Sequence, residues 1–150
     1  FQNEKITYSL PKSSIDSVEQ ITVHYGKILI ADDYTVTREL VRHHLMPLGF
    51  EIDEASSGHE ALELAARKNY DLILMDCNMP NMDGIEAARQ IRERGMATPI
   101  IALTAHVDSR ILNDCLAVGM NDCLSKPFRG AVLKETVAKW LTAKKREQLE

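Results

Sequence analysis

Leu72-Ile73-Leu74-Met75-Asp76 is a run of apolar residues that ends at once on a carboxylate. A run this short and this continuously apolar fits a strand covered on both faces, because a sheet with one wet face alternates apolar and polar side chains. Working outward, the same form returns in Ile28-Leu29-Ile30-Ala31 before Asp32 and Asp33, and in Ile100-Ile101-Ala102-Leu103 before Thr104. Two shorter runs, Phe50-Glu51-Ile52 and Cys123-Leu124-Ser125, complete a set of predicted strands, the last running into Lys126. Amphipathic stretches of helical length lie between them. Val41, Leu45 and Leu48 share one helical face, as do Leu62 with Ala65 and Ala66, and Ile111 with Cys115 and Val118. Gly49 and Gly119 fall where helices should stop, and Ser57 followed by Glu60 makes a capping box. Leu133, Val137, Trp140 and Leu141 mark a last helix that fades into Lys144-Lys145-Arg146-Glu147.

Strands alternating with helices mean βαβ units and an α/β fold. The predicted architecture is a flavodoxin-like, doubly wound, five-stranded parallel sheet in the order 2-1-3-4-5, with helices on both faces. Residues 27–146 carry this pattern. Residues 1–26, where Pro11, Ser13 and Ser14 interrupt short β-prone stretches, read as a linker or leader from an upstream region, and residues 147–150 as a C-terminal tail. The chain opens on Phe1 and is read as an excerpt of something longer.

Composition narrows the classes. With 150 residues, 45% of them hydrophobic, the chain supports one domain with a real core. A charged fraction of 27% and seven glycines exclude a disordered or collagen-like chain. Eighteen basic against 22 acidic residues leave a net charge of −4, which gives no electrostatic reason to expect nucleic acid or an anionic membrane as partner. Cys77, Cys115 and Cys123 are odd in number and form no CxxC pair, so they read as reduced thiols of a cytoplasmic protein. No apolar run reaches the roughly 18 residues of a membrane span.

Polar groups fall directly after the strands, and open α/β sheets bind ligands outside the carboxyl ends of their strands. In the order 2-1-3-4-5 the first and third strands are neighbours, so Asp32 and Asp33 face Asp76 across the switch point. Three carboxylates in one hollow repel, by roughly 4 kcal/mol per pair about 4 Å apart at an effective dielectric near 20. A hard divalent cation such as Mg²⁺ offsets that repulsion, and Lys126 supplies a second positive charge. Asp76, the central carboxylate, is the candidate nucleophile for phosphoryl transfer, giving an aspartyl phosphate. Lys126 and the Thr104 hydroxyl are placed to meet the phosphoryl oxygens. Each residue alone has a plainer reading. Asp32 and Asp33 also suit a helix N-cap, Asp76 a turn, Lys126 the surface, and Thr104 the cap of the next helix.

The chain resembles a response-regulator receiver domain, the phosphoacceptor module of two-component signalling. The resemblance rests on Ile28-Leu29-Ile30-Ala31-Asp32-Asp33, Leu74-Met75-Asp76-Cys77-Asn78-Met79-Pro80-Asn81-Met82-Asp83-Gly84, Ala102-Leu103-Thr104-Ala105 and Leu124-Ser125-Lys126-Pro127-Phe128, and covers Lys27 to about Lys144. It implies that Asp76 accepts phosphate from a histidine and that Asp32 and Asp33 are the acidic pair, Asp33 ahead of Asp32 as direct ligand of Mg²⁺. It further implies that Asn78 offers its backbone carbonyl to the metal, that Thr104 is the switch hydroxyl, and that Lys126 precedes a cis peptide to Pro127. The implied partner is a histidine kinase or a histidine phosphotransfer domain. The domain would catalyse only its own phosphorylation and dephosphorylation.

The phrases around Asp76, Thr104 and Lys126 look most like receivers attached to hybrid sensor kinases, which would place the domain on the cytoplasmic side of a membrane. One departure stands out: the position three before Lys126, usually aromatic in the family, is Cys123. Signal output is then expected to run through the Thr104 loop and the following helix without a rotating ring. The rivals are a stand-alone response regulator, a Mg²⁺-dependent phosphohydrolase, whose Asp-x-Asp pattern Asp32-Asp33-Tyr34 lacks, and a phosphorylation-independent interaction module.

Overall fold

A computed structural model describes residues 26–149, with side chains as far as residue 141. The expected leader lies outside the described residues except for Gly26, which opens the first strand. The elements in chain order are β1 (Gly26–Ala31), α1 (Thr35–Leu45) with a short 3-10 turn (Met46–Leu48), β2 (Phe50–Ala55), α2 (Gly58–Arg67), β3 (Leu72–Asp76), α3 (Gly84–Glu93), β4 (Ile100–Thr104), α4 (Ser109–Ala117), β5 (Asp122–Ser125) and α5 (Gly130–Leu149). All strand pairs are parallel, and the sheet order is β2-β1-β3-β4-β5. The predicted fold class and strand order are therefore those observed. Among the described residues no helix is long and apolar enough to cross a membrane.

The apolar runs divide residue by residue between two cores, as the strand period of two requires. Leu29, Ala31, Ile73, Met75, Ile100 and Ala102 face one side, under Ala61 and Leu62 of α2, Ala87 and Ile91 of α3 and Cys115 of α4. Ile28, Ile30, Leu72, Leu74, Ile101 and Leu103 face the other, under Val41 and Leu45 of α1 and Leu133 and Val137 of α5. Every residue of β3 and β4 is buried, which is why those strands carry no alternation. Ala66 departs from the expected inward stripe of α2: it is exposed, and Ala61 takes its place. Ser57 caps α2 as expected, its Oγ accepting from the Glu60 amide at 3.1 Å, while Glu60 Oε1 accepts from the Ser56 amide. Gly49 and Gly119 stop their helices in the left-handed region, at φ 103° and 99°.

The edge strand β2 runs three residues beyond its predicted end at Ile52, through Asp53, Glu54 and Ala55. The polar side chains of this extension, Asp53 and Glu54, are engaged by partners. Asp53 accepts from Lys68 and Tyr70, and Glu54 from Arg38 and Arg42. Charged groups along an exposed edge also discourage pairing with another sheet.

One close approach fixes the rim where β3 ends. A Cβ on Gly84, the first residue of α3, would stand 2.0 Å from the Asp76 carbonyl oxygen and 2.8 Å from Met75 Cγ. Only a residue without a side chain lets α3 begin against the end of β3. Gly84→Ala should therefore destabilise the domain by about 1–3 kcal/mol, the range for overpacking a filled site. Urea unfolding followed by circular dichroism measures this, and parent-like stability would show that the helix start moves freely.

Candidate functional site

The parallel sheet brings the carboxyl ends of β1, β3, β4 and β5 to one rim, and backbone hydrogen bonds tie the loops that leave them. The Asp32 amide donates to Ala55 O at 3.0 Å, the Cys77 amide to Leu103 O at 2.9 Å and the Lys126 amide to Thr104 O at 2.8 Å. Each strand end is thus held by its neighbour. Functional side chains then stand on a rigid support while their loops remain at the surface.

Asp32, Asp33 and Asp76 meet there. One carboxylate oxygen from each lies within 4.8 Å of the others. Asp32 and Asp76 are buried, whereas Asp33 is exposed at the mouth. Lys126 closes the far side, its ammonium 2.8 Å from Asp32 Oδ2 and 3.5 Å from Asp76 Oδ1. The peptide from Lys126 to Pro127 is cis, as the resemblance implies. Asn78 is exposed, and its backbone N–H donates to Asp76 Oδ1 at 3.1 Å.

The electrostatics follow from this crowding. Burial pushes Asp76 up to about 6, the Asp32 charge adds in the same direction, and the Asn78 amide and Lys126 ammonium pull the other way. For Lys126, burial lowers the pKa, but the two carboxylates outweigh it and the net shift is upward. Lys126 stays charged. Asp32 Oδ2 is fully buried and has no hydrogen bond of good geometry, only the facing ammonium. A buried carboxylate oxygen left in this state is costly.

These groups suit Mg²⁺. An octahedral ion with oxygens at about 2.1 Å spans roughly 4.2 Å between opposite ligands, a size that fits inside the observed oxygen cluster. All the candidate donors are hard oxygens, which excludes a soft-metal preference.

Thr104 stands at the adjoining strand end, one residue beyond the Asp76–Leu103 register pair. Its hydroxyl accepts from the His106 amide at 3.2 Å and faces His106 O at 3.3 Å. The plainer readings of three residues fail here. Asp108, whose Oδ1 accepts from the Ile111 amide, caps α4 in place of Thr104. Asp32 and Asp33 do not cap α1, which starts after Tyr34; Asp32 Oδ1 instead accepts from the Tyr34 amide.

Cys123 is half-buried and packs against the core beside Cys115. Cys77 and Cys115 bring their sulfurs to 3.7 Å. Burial pushes all three thiols up, Cys123 to about 11, so they are poor nucleophiles.

Two residues that the sequence does not single out support the site. Gly84 backs Asp76, and Arg38 of α1 donates to the Asp32 backbone carbonyl at 2.8 Å. The Asp83-Gly84 pair at a helix start is a sequence signal for the first. For Arg38 there is none, because an arginine on a polar helix face is ordinary.

Known proteins are similar to this chain. The profile of the response regulator receiver domain family matches residues 28–138. The chain is 45% identical over 107 residues to the sensor protein EvgS of Escherichia coli K12, covering 71% of this chain and 9% of that protein. It is 39% identical over 111 residues to the sensor histidine kinase RcsC of Salmonella typhimurium, covering 74% of this chain and 12% of that one. The chain therefore spans about a tenth of these relatives. Among solved structures it superposes on the receiver domain of the sensor histidine kinase PA1611 from Pseudomonas aeruginosa, which holds a magnesium ion in its active-site cleft. The TM-score is 0.72 at 39% identity, over 79% of this chain and 99% of that one. Motifs, sheet order and matched span agree: the chain belongs to the response regulator receiver domain family.

Proposed function

We propose that this domain takes a phosphoryl group from a phosphohistidine onto Asp76, with Mg²⁺ bound, and passes the change to a partner within a phosphorelay. The observation that carries the reading is the buried Asp76 carboxylate, set between two further carboxylates and an ammonium at the ends of separate strands. In the transfer an Asp76 oxygen bonds to phosphorus as the P–N bond breaks. The leaving ring departs as neutral imidazole when its other nitrogen already carries a proton. Asp32, Asp33 and Asp76, with the Asn78 carbonyl, would hold the Mg²⁺, which when bound offsets charge on the phosphoryl oxygens. Lys126 places its ammonium against the same oxygens. Thr104 gives up its bond to His106 and turns its hydroxyl toward the new phosphoryl group.

Cys123 has no ring to turn, so the moving part is the segment from Thr104 to the start of α4, where Ala105, His106 and Val107 are already exposed. A histidine kinase or a histidine phosphotransfer domain fits as donor or acceptor, and the likeness to EvgS and RcsC favours a hybrid sensor kinase as the parent protein. The domain then works at the cytoplasmic side of the membrane. It makes no membrane or nucleic-acid contact of its own.

Two outcomes are expected. Incubation with acetyl phosphate and Mg²⁺ labels the parent chain, and Asp76→Ala abolishes the label; intact-mass measurement reads it, and equal labelling of the variant sinks the assignment. The second concerns the metal-free domain. The folded Asp76 titrates at about 6 against an ordinary 3.8, so between these values the folded domain keeps a proton that the unfolded chain has released. The Asp76 contribution to stability therefore falls as pH rises from about 4 to 6 and stays lowered above that. Asp76→Asn removes this loss and should stabilise the domain near pH 7.5 by about 1–3 kcal/mol. The gain shrinks toward pH 4. Coincident pH–stability curves for variant and parent, by thermal unfolding in chelator, would contradict it.

A further inference from the structure

Arg38 lies beside the acidic hollow, yet its hydrogen bonds go to groups other than the hollow's carboxylates. Its Nη1 donates to the Asp32 backbone carbonyl at 2.8 Å, its Nε to Glu54 Oε1 at 2.8 Å, and its Nη2 to Thr35 Oγ1 at 3.4 Å. The side chain is only 16% exposed, and Glu54 is held in turn by Arg42. The guanidinium therefore sits as a fixed wedge between α1, β2 and the loop leaving β1.

The consequence runs through one peptide. The Asp32 carbonyl and the Asp33 amide share a rigid plane, so a donor that fixes the carbonyl also fixes the start of Asp33. Besides the Lys126 ammonium, Asp32 is held by Ala55 O on its amide, the Tyr34 amide on its carboxylate and Arg38 on its carbonyl. Asp33 is exposed, with no burial to hold its side chain in place. We propose that Arg38 is a positioning residue for the cation site: by clamping the Asp32–Asp33 peptide it sets the geometry in which Asp33 joins Asp32 and Asp76 around a divalent ion. This rests on the reading of the hollow as a Mg²⁺ site.

Charge and position make opposite demands, which makes the inference decidable. By charge alone, deleting a cation near an acidic hollow strengthens Mg²⁺ binding, and deleting the Glu54 anion weakens it. Positioning reverses the first effect. Groups that orient metal ligands from outside typically change affinity by about 10- to 100-fold when removed.

The test is a Mg²⁺ titration of the full chain, without phosphodonor, followed by backbone amide NMR shifts at constant ionic strength. Arg38→Gln should weaken Mg²⁺ binding by about tenfold. Glu54→Gln keeps the donor to the Asp32 carbonyl and should change it by less than about threefold. Arg38→Lys retains the charge, but a single ammonium cannot serve the carbonyl and Glu54 as the planar fork does; it should weaken binding by several fold. If Arg38→Gln does not fold, Arg38→Lys decides alone. A purely structural role lowers the melting temperature and leaves the affinity of the folded fraction unchanged; unchanged or tighter binding overturns the proposal. A parent chain that binds no Mg²⁺ instead removes the site reading itself.

Discussion

Like charges held together at the ends of strands are the constraint around which the domain is arranged. Asp32, Asp33 and Asp76 bring oxygens within 4.8 Å of one another, and two of the three are buried. Each such pair costs on the order of several kcal/mol in a protein-like dielectric. Nothing in the local chain favours that grouping. It persists because the parallel sheet fixes where strands end, because Lys126 stands 2.8 Å from Asp32, and because a divalent cation would relieve what remains. Crowded carboxylates of this kind favour a divalent cation among them.

The rest of the molecule supplies stiffness. Ile28 to Ala31 of β1 and the apolar side chains of β3 and β4 alternate between two cores with negligible exposure, and helices cover both faces. Such packing tolerates little displacement. The loops are pinned to neighbouring strands by backbone hydrogen bonds, and Gly84 lets α3 start directly behind Asp76. Thr104 differs from the acids in being held by a short local loop to His106. That contact is local, which suits the switching role proposed for Thr104.

Much of this was legible in the order of residues. Three unbroken apolar runs each end on a polar group, and that pattern alone predicts a buried parallel sheet with its chemistry at one rim. The second strand was harder to bound, because Asp53 and Glu54 look like loop residues until Lys68, Tyr70, Arg38 and Arg42 are seen to engage them. Edge strands hide in this way. Ala66 was misplaced for a related reason: a small apolar residue at the margin of a helical stripe carries too little hydrophobicity to choose its side. The cap of α4 belongs to Asp108, which does not line the site, so Thr104 is left free of that duty. Arg38 and Gly84 matter through close approaches between neighbouring elements, and no periodicity encodes those.

The central claim is that the hollow at the rim is a cation site built from these three aspartates. Its most direct test is anomalous diffraction from crystals soaked in Mn²⁺, a hard octahedral stand-in for Mg²⁺. The account predicts one dominant peak within about 2.3 Å of oxygens from Asp33 and Asp76, with Asp32 bordering it. A dominant peak elsewhere on the molecule, or none in the hollow at millimolar Mn²⁺, would contradict it.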